Sequence, residues 1–425
     1  MTTPSGSFLR TRSLRIAHAI RDVWLIAGAT IALIVLADVA FRLVRIASRS
    51  VSGAAPQATQ PANPFDTVAW ASDYRSGRVH GEDVQWASYV YLRNPTFRSA
   101  VISTDSLGHR VMPAPAAAGT RVRVLFFGGS TTFGWYQRDE QTIPMEASRR
   151  LQAVLGARGT VEATNFGVPG RIFTQEILDL ILQLRAGTRP DVVMFYDGIN
   201  DVMATLQDGQ AGLPQNEANR VEDFARGRRV VAENLGGLGN DVRATARAAA
   251  SVLGRLQFVR TIREGKPAPA LKLISADSAV RSIVQMYAGN ARVVEALAAA
   301  YGFEVVYVWQ PTLLSTTKPL TAREKFLVVP AERDSMYKRM REVHVAVPPL
   351  LRAAMTPIAG SRFIEATPLF SDDSLDVYVD IIGHTYERAN PRIVDAILPT
   401  LGAALTRAIS PSRRAAAPPS APARE

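Results

Sequence analysis

The chain contains no cysteine. Disulfides, thiolate metal sites and a cysteine nucleophile are therefore excluded. Histidine is scarce: only His18, His80, His109, His344 and His384 occur among 425 residues, so any proton-accepting imidazole is one of five. A phosphate-gripping loop is missing as well. No G-x-x-x-x-G-K-[ST] occurs, and the glycines after the first strong strand signal do not follow G-x-G-x-x-G. Basic surface for nucleic acid is also lacking. The net charge is +11, but residues 1–50 carry seven Arg against two Asp and residues 401–425 four Arg against one Glu, which leaves +3 for the 350 residues between. That charge reads as topology and tail chemistry. No Lys/Arg stripe marks the body, so no nucleic-acid partner is expected.

What is present can bury a core: 47% of residues are hydrophobic and 20% charged. One apolar run stands apart. Residues 23–41, VWLIAGATIALIVLADVAF, are apolar except for Asp38. A helix of that length rises about 28 Å, close to the ~30 Å hydrocarbon thickness of a bilayer. The run exceeds the ~7–15 residues of a signal-peptide core, and no small-x-small site follows it, so an uncleaved transmembrane anchor is expected. Arg10, Arg12, Arg15 and Arg21 precede the run, while Arg42, Arg45 and Arg49 follow it. This bias places the N-terminus inside and the body on the extracytoplasmic side, periplasmic or outer.

The chain accordingly divides into a cytoplasmic tail (1–21), an anchor (22–46), a linker with an irregular aromatic-rich segment (47–120), a main domain (121–409) and a disordered tail (410–425). Within the main domain, strand signals at 122–127, 161–166, 191–196, 304–309 and 377–379 alternate with helix signals at 142–155, 174–184, 279–300 and 391–409. Such alternation predicts an α/β domain with a central parallel sheet. The pattern lapses over about 203–274, which reads as an insertion.

Four stations carry the candidate chemistry. In VRVLFFGGSTTFG an apolar strand stops at Gly128-Gly129, and Ser130 follows. Reactive groups collect at that carboxyl edge of a parallel sheet, which makes Ser130 a candidate nucleophile as well as a candidate helix cap. Asn165 to Gly170, NFGVPG, is a turn after the second strand that can aim a backbone N–H at the same edge. Asp197 to Asp201, DGIND, follows the third strand, and the Asn200 amide can donate to a developing oxyanion. Asp380 to His384, DIIGH, precedes the last helix and pairs an imidazole with a carboxylate that can fix its tautomer. His109, in the turn STDSLGHR, reads as structural, and His344 has no comparable context.

In this order the stations resemble the blocks of the SGNH (GDSL-type) hydrolase superfamily, in a membrane-anchored bacterial branch with a Gly-Gly-Ser-Thr first block. The resemblance covers about residues 121–409. It implies a three-layer α/β/α flavodoxin-like sandwich. It also implies a catalytic Ser130–His384–Asp380 triad, and an oxyanion hole from Ser130, Gly170 and Asn200. No cofactor or metal is implied. Two features depart from the family pattern. Gly129 stands where the usual block has Asp, and the acid-to-histidine spacing is one residue longer, which would put the acid at Ile381. Asp380 is the nearest carboxylate, with Asp376, Asp373 and Asp372 as substitutes. The implied function is a serine esterase acting on acyl, notably acetyl, esters of a cell-envelope glycan or lipid. Two alternatives stand beside it: an O-acyltransferase using the same residues on a surface polysaccharide, and a catalytically inactive glycan-binding or envelope scaffold.

Overall fold

A computed structural model describes residues 61–76, 84–112, 120–222 and 274–410, with isolated positions at 18, 21, 22, 24, 25, 28–30, 38 and 224. The chain forms two compact units, one of residues 1–59 with 224–270 and one of residues 60–223 with 271–425. The second unit holds all four stations. Most of the expected anchor and most of the expected insertion fall outside the described residues. Among the described residues no helix is long and apolar enough to cross a membrane.

The second unit opens with helices α1 (Pro64–Thr67) and α2 (Ala71–Ser76). An antiparallel hairpin, β1 (Gln85–Ala87) with β2 (Tyr91–Arg93), and a second short pair, β3 (Phe97–Arg98) with β4 (Ser103–Thr104), come next. The main domain then runs β5 (Arg121–Gly128), α3 (Ser130–Phe133), α4 (Ile143–Leu155), β6 (Thr160–Gly167), α5 (Phe173–Arg185), β7 (Val192–Asp197) and α6 (Ile199–Asp208). After the first unit's segment it continues with α7 (Ala276–Tyr301), β8 (Glu304–Trp309), α8 (Ala322–Arg333), α9 (Ser335–Ala359), β9 (Phe363–Glu365) and α10 (Asn390–Ala408).

Five strands form a parallel sheet in the order β6-β5-β7-β8-β9. This is the doubly wound 2-1-3-4-5 order, whose switch point lies where neighbouring connections leave opposite faces. All six residues of β7 and of β8 are buried, as expected when helices cover both faces. The period-two alternation of strands sorts them. Leu125, Phe127, Val193, Phe195, Val305 and Tyr307 face a core shared with α5, α6, α7 and α9. Val124, Phe126, Val192, Met194, Val306 and Val308 face the core shared with α4 and α10. Each such side chain, fully buried, contributes about 1.5–3 kcal/mol.

Several elements differ from the sequence reading, among them the fifth strand and α9. The fifth strand is Phe363–Glu365, and residues 377–379 contribute only an isolated bridge, Tyr378 with Thr385. Three residues are too few to display a period. Helix α9 spans 25 residues despite internal Pro348, Pro349 and Pro357, which weaken a helix locally. Its stripe of Val343, Val347, Leu351 and Met355 is fully buried in the first core, and that burial outweighs the lost backbone hydrogen bonds.

The aromatic segment before the main domain packs against it. Phe65, Tyr74, Val101 and Ile102 join Phe133, Val379 and Tyr386 in a third apolar cluster beside the sheet's carboxyl edge.

Candidate active site

Ser130 begins α3 directly after β5, with its side chain 7% exposed. Its Oγ lies 2.6 Å from His384 Nε2, and His384 Nδ1 lies 2.5 Å from Asp380 Oδ2. Residues 254 positions apart in the chain therefore form one hydrogen-bonded line.

The turn that carries the histidine explains the longer spacing. Val379 N–H donates to His384 C=O at 2.8 Å and closes a tight loop. Gly383 takes φ +93° within it, a left-handed conformation that favours glycine. That residue absorbs the extra position. Asp380 Oδ1 accepts the N–H groups of Ile382 (3.1 Å) and His384 (3.3 Å), leaving Oδ2 for the imidazole. The other carboxylates are occupied elsewhere. Asp376 accepts the Thr321 hydroxyl, Asp373 pairs with Arg388, and Asp372 pairs with Arg392.

The remaining stations meet at the same place. Asn200 Nδ2 donates to Arg171 C=O at 2.8 Å, one residue after Gly170. A Cβ on Gly129 would overlap this same amide nitrogen. The Asn200 side chain thus lies between the Gly129–Ser130 and Gly170–Arg171 segments, with one amide hydrogen left to donate. Ser130, as the first residue of its helix, has an N–H with no acceptor inside that helix. The three expected donors therefore lie on adjoining segments.

The Gly129 contact yields a test. Gly129→Asp restores the residue usual in GDSL-type blocks, yet here it would push the Asn200 amide aside. We expect a folded protein whose kcat for ester hydrolysis falls about 10²–10³-fold, the scale of losing one oxyanion donor. Steady-state kinetics beside a thermal melt would show this.

Residues that the sequence reading passed over hold the site together. Buried Arg110 donates to Phe133 C=O (3.1 Å), Gly134 C=O (3.0 Å) and Gln137 C=O (2.7 Å), and pairs with Asp139 at 2.5 Å. It thereby fixes the loop after α3. That loop carries Trp135 and Tyr136, whose rings lie 5.0 and 5.6 Å from the His384 ring. Tyr136 adopts φ +62° and donates its N–H to Tyr74 Oη at 2.6 Å, a strained backbone position held by the N-terminal segment. Gln137 Nε2 donates to Thr385 C=O (3.1 Å) and ties the serine loop to the histidine turn. Arg110 ends the turn STDSLGHR, next to His109. Nothing in the local pattern announces a guanidinium that serves carbonyls some 25 residues away.

Two other histidines, His344 and His109, are held within the fold of the second unit. His344 is fully buried in α9, and burial pushes it down to about 3, so it stays neutral. Burial also lowers His109, whose ring packs 4.3 Å from Phe166.

Behind Asn200 lie three buried carboxyls, Glu176, Asp197 and Asp201. Burial raises all three. Glu176 rises to about 8, Asp201 to about 7, and Asp197 climbs well above the carboxylate range, aided by its neighbours. Tyr287 and the Arg171–Asp179 pair complete the surroundings. Glu176 and Asp201 both press on Asp197 electrostatically, while Asp201 Oδ1 accepts Phe173 N–H at 3.2 Å. The cluster therefore joins α5, β7 and α6 behind the site. The linkage has a definite sign. Above about pH 4 the unfolded carboxyls release protons that the folded cluster retains, so stability falls as pH rises toward about 8. We expect Glu176→Gln to flatten the fall in Tm between pH 5.5 and 8, measured by differential scanning fluorimetry.

A serine hydroxyl, an imidazole and a carboxylate stand in line at the carboxyl edge of a parallel sheet, the arrangement that nucleophilic catalysis by a serine requires. Residues 126–325 match the GDSL-like lipase/acylhydrolase family. The chain therefore carries a GDSL-like lipase/acylhydrolase domain and is an ester hydrolase by family. Among solved structures it is similar to a carbohydrate acetylesterase family member from Sinorhizobium meliloti, at 16% identity over 67% of this chain and 99% of that one, with a TM-score of 0.33. It is also similar to the acetylxylan esterase Axe2 from Geobacillus stearothermophilus, at 13% identity over 66% and 94% with a TM-score of 0.33. A third is a lipolytic protein of the G-D-S-L family from Veillonella parvula, at 12% identity over 65% and 97% with a TM-score of 0.32. No curated protein matches the chain. The family match carries the assignment. Among the described residues no group of His, Asp and Glu is arranged to hold a metal ion.

Proposed function

We propose that the chain is a serine esterase that removes acyl groups, acetyl foremost, from a glycan or lipid of the cell envelope. The observation that carries this reading is the Ser130–His384–Asp380 line, with contacts of 2.6 and 2.5 Å. In this mechanism His384 Nε2 takes the Ser130 proton as Oγ attacks the ester carbonyl. Asp380 holds the imidazole in the required tautomer and stabilises its protonated form. The N–H groups of Ser130 and Gly170 and the Asn200 amide stabilise the oxyanion. The collapsing intermediate expels the alcohol, protonated by His384, and leaves an acyl-Ser130. Water, deprotonated by the same histidine, then releases the carboxylic acid.

The envelope location rests on the apolar run at 23–41 and its basic flanks. An anchor there would hold the domain at the outer face of the membrane. The esterase reading is tested by hydrolysis of p-nitrophenyl esters of increasing acyl length by the full chain in detergent. Turnover highest with acetate supports it. Absence of turnover with every ester defeats it, and acyl transfer to a sugar hydroxyl without net hydrolysis would assign the acyltransferase role instead.

A further inference from the structure

The hairpin β1–β2 presents an aromatic surface that the ester chemistry does not use. Trp86 and Tyr89 are each 67% exposed. They are the only exposed Trp or Tyr among the described residues of the second unit. Trp86 stacks on Tyr91 at 4.9 Å and 19°, and the Arg220 guanidinium lies 4.8 Å from the Tyr91 ring. Trp86 and Tyr91 thus form a stacked pair, with Tyr89 exposed in the turn between their strands.

Backbone geometry shows that turn stability did not select these residues. Tyr89 adopts φ +70° and Tyr91 φ +63°. A tight turn with left-handed positions is relaxed with glycine or asparagine. Here Ala87-Ser88-Tyr89-Val90-Tyr91 contains neither. A bulky residue held this way is strained, and such strain gathers at functional sites.

The hairpin adjoins the candidate active site. Arg171 donates to Leu92 C=O through Nε (3.1 Å) and Nη2 (2.6 Å), while its own carbonyl accepts Asn200 Nδ2. Gln175 Nε2 donates to Val90 C=O at 2.6 Å. The second strand of the hairpin is therefore bonded directly to the Gly170–Arg171 segment. It also lies outside the stretch that matches the acylhydrolase family.

We propose that Trp86 and Tyr89 form a sugar-binding subsite that holds a pyranose ring of a polysaccharide whose acyl group enters the Ser130 site. This deepens the esterase reading and rests on it for the identity of the reacting group. A pyranose face offers C–H groups, slightly positive and apolar, to the electron-rich face of an aromatic ring. Flat, solvent-exposed rings beside polar partners suit such a face. Exposed apolar patches of this kind mark interaction sites.

The test uses affinity electrophoresis of the full chain in detergent, in gels cast with chemically acetylated xylan or chemically acetylated alginate. The wild type should be retarded by at least one polymer. Trp86→Ala and Tyr89→Gly should each weaken that retardation at least tenfold. Tyr89→Gly should also keep or raise Tm, since it relieves the left-handed position, so loss of binding cannot be ascribed to unfolding. Hydrolysis of p-nitrophenyl acetate should stay within twofold in both variants. The proposal is overturned by a wild type that neither polymer retards, or by variants retarded like the wild type. Variants that lose only their binding to phosphatidylglycerol vesicles would overturn it too, because the hairpin would then be a membrane contact. Failure of the wild type to cleave p-nitrophenyl acetate would count against the esterase reading and leave the retardation result to decide this one.

Discussion

Ser130→Ala is expected to lower kcat for ester hydrolysis about 10⁶-fold, the scale on which losing a nucleophile acts, with the fold intact. The Oγ is in line with His384 Nε2 at 2.6 Å, so its removal deletes the attacking atom and leaves the base with no proton to accept. The structural cost is small. Ser130 supplies no side-chain cap to its helix, because that cap position is Gly129. The cores on both sheet faces are untouched. Thermal melts within a few degrees of wild type, together with kcat at background, are the expected pair of results. His384→Ala should match the activity loss.

The second large effect concerns the carboxylate. Asp380→Asn is expected to lower kcat about 10⁴-fold, the scale for misorienting a catalytic imidazole, while Asp376→Asn leaves it within a few-fold. An asparagine at 380 can still accept the Ile382 and His384 amides through its oxygen. Its NH2 group then faces His384 Nδ1 and donates to it. That places the ring proton on Nε2, where it cannot take the serine proton. The fold of the turn survives and the chemistry does not. Asp376 instead accepts the Thr321 hydroxyl, so its substitution should appear in stability. A loss of activity confined to Asp376→Asn would contradict the assignment.

This carboxylate also marks where the sequence was legible and where it was not. The alternation of apolar strands with amphipathic helices is a local signal, and four of the five sheet strands could be read from it. The stations could be read because each follows a strand at the edge where a parallel sheet exposes its loops. The Asp380–His384 contact was harder. It depends on a left-handed Gly383 and on a carboxylate that bonds two amides of its own turn, and a count of intervening residues reports neither. Arg110, Tyr136 and Gln137 were harder still, since their partners lie on other loops and leave no period. Gly129 illustrates the same limit. In sequence it looks like a lost aspartate, whereas in the fold it makes room for the Asn200 amide.

Covalent labelling decides whether Ser130 is a nucleophile. The full chain is treated with a fluorophosphonate probe and digested, and the modified peptide is identified by mass spectrometry. One probe per chain is expected, attached to Ser130, with labelling abolished in His384→Ala. An unlabelled protein, or a probe found on a different serine while Ser130 remains free, would contradict that role.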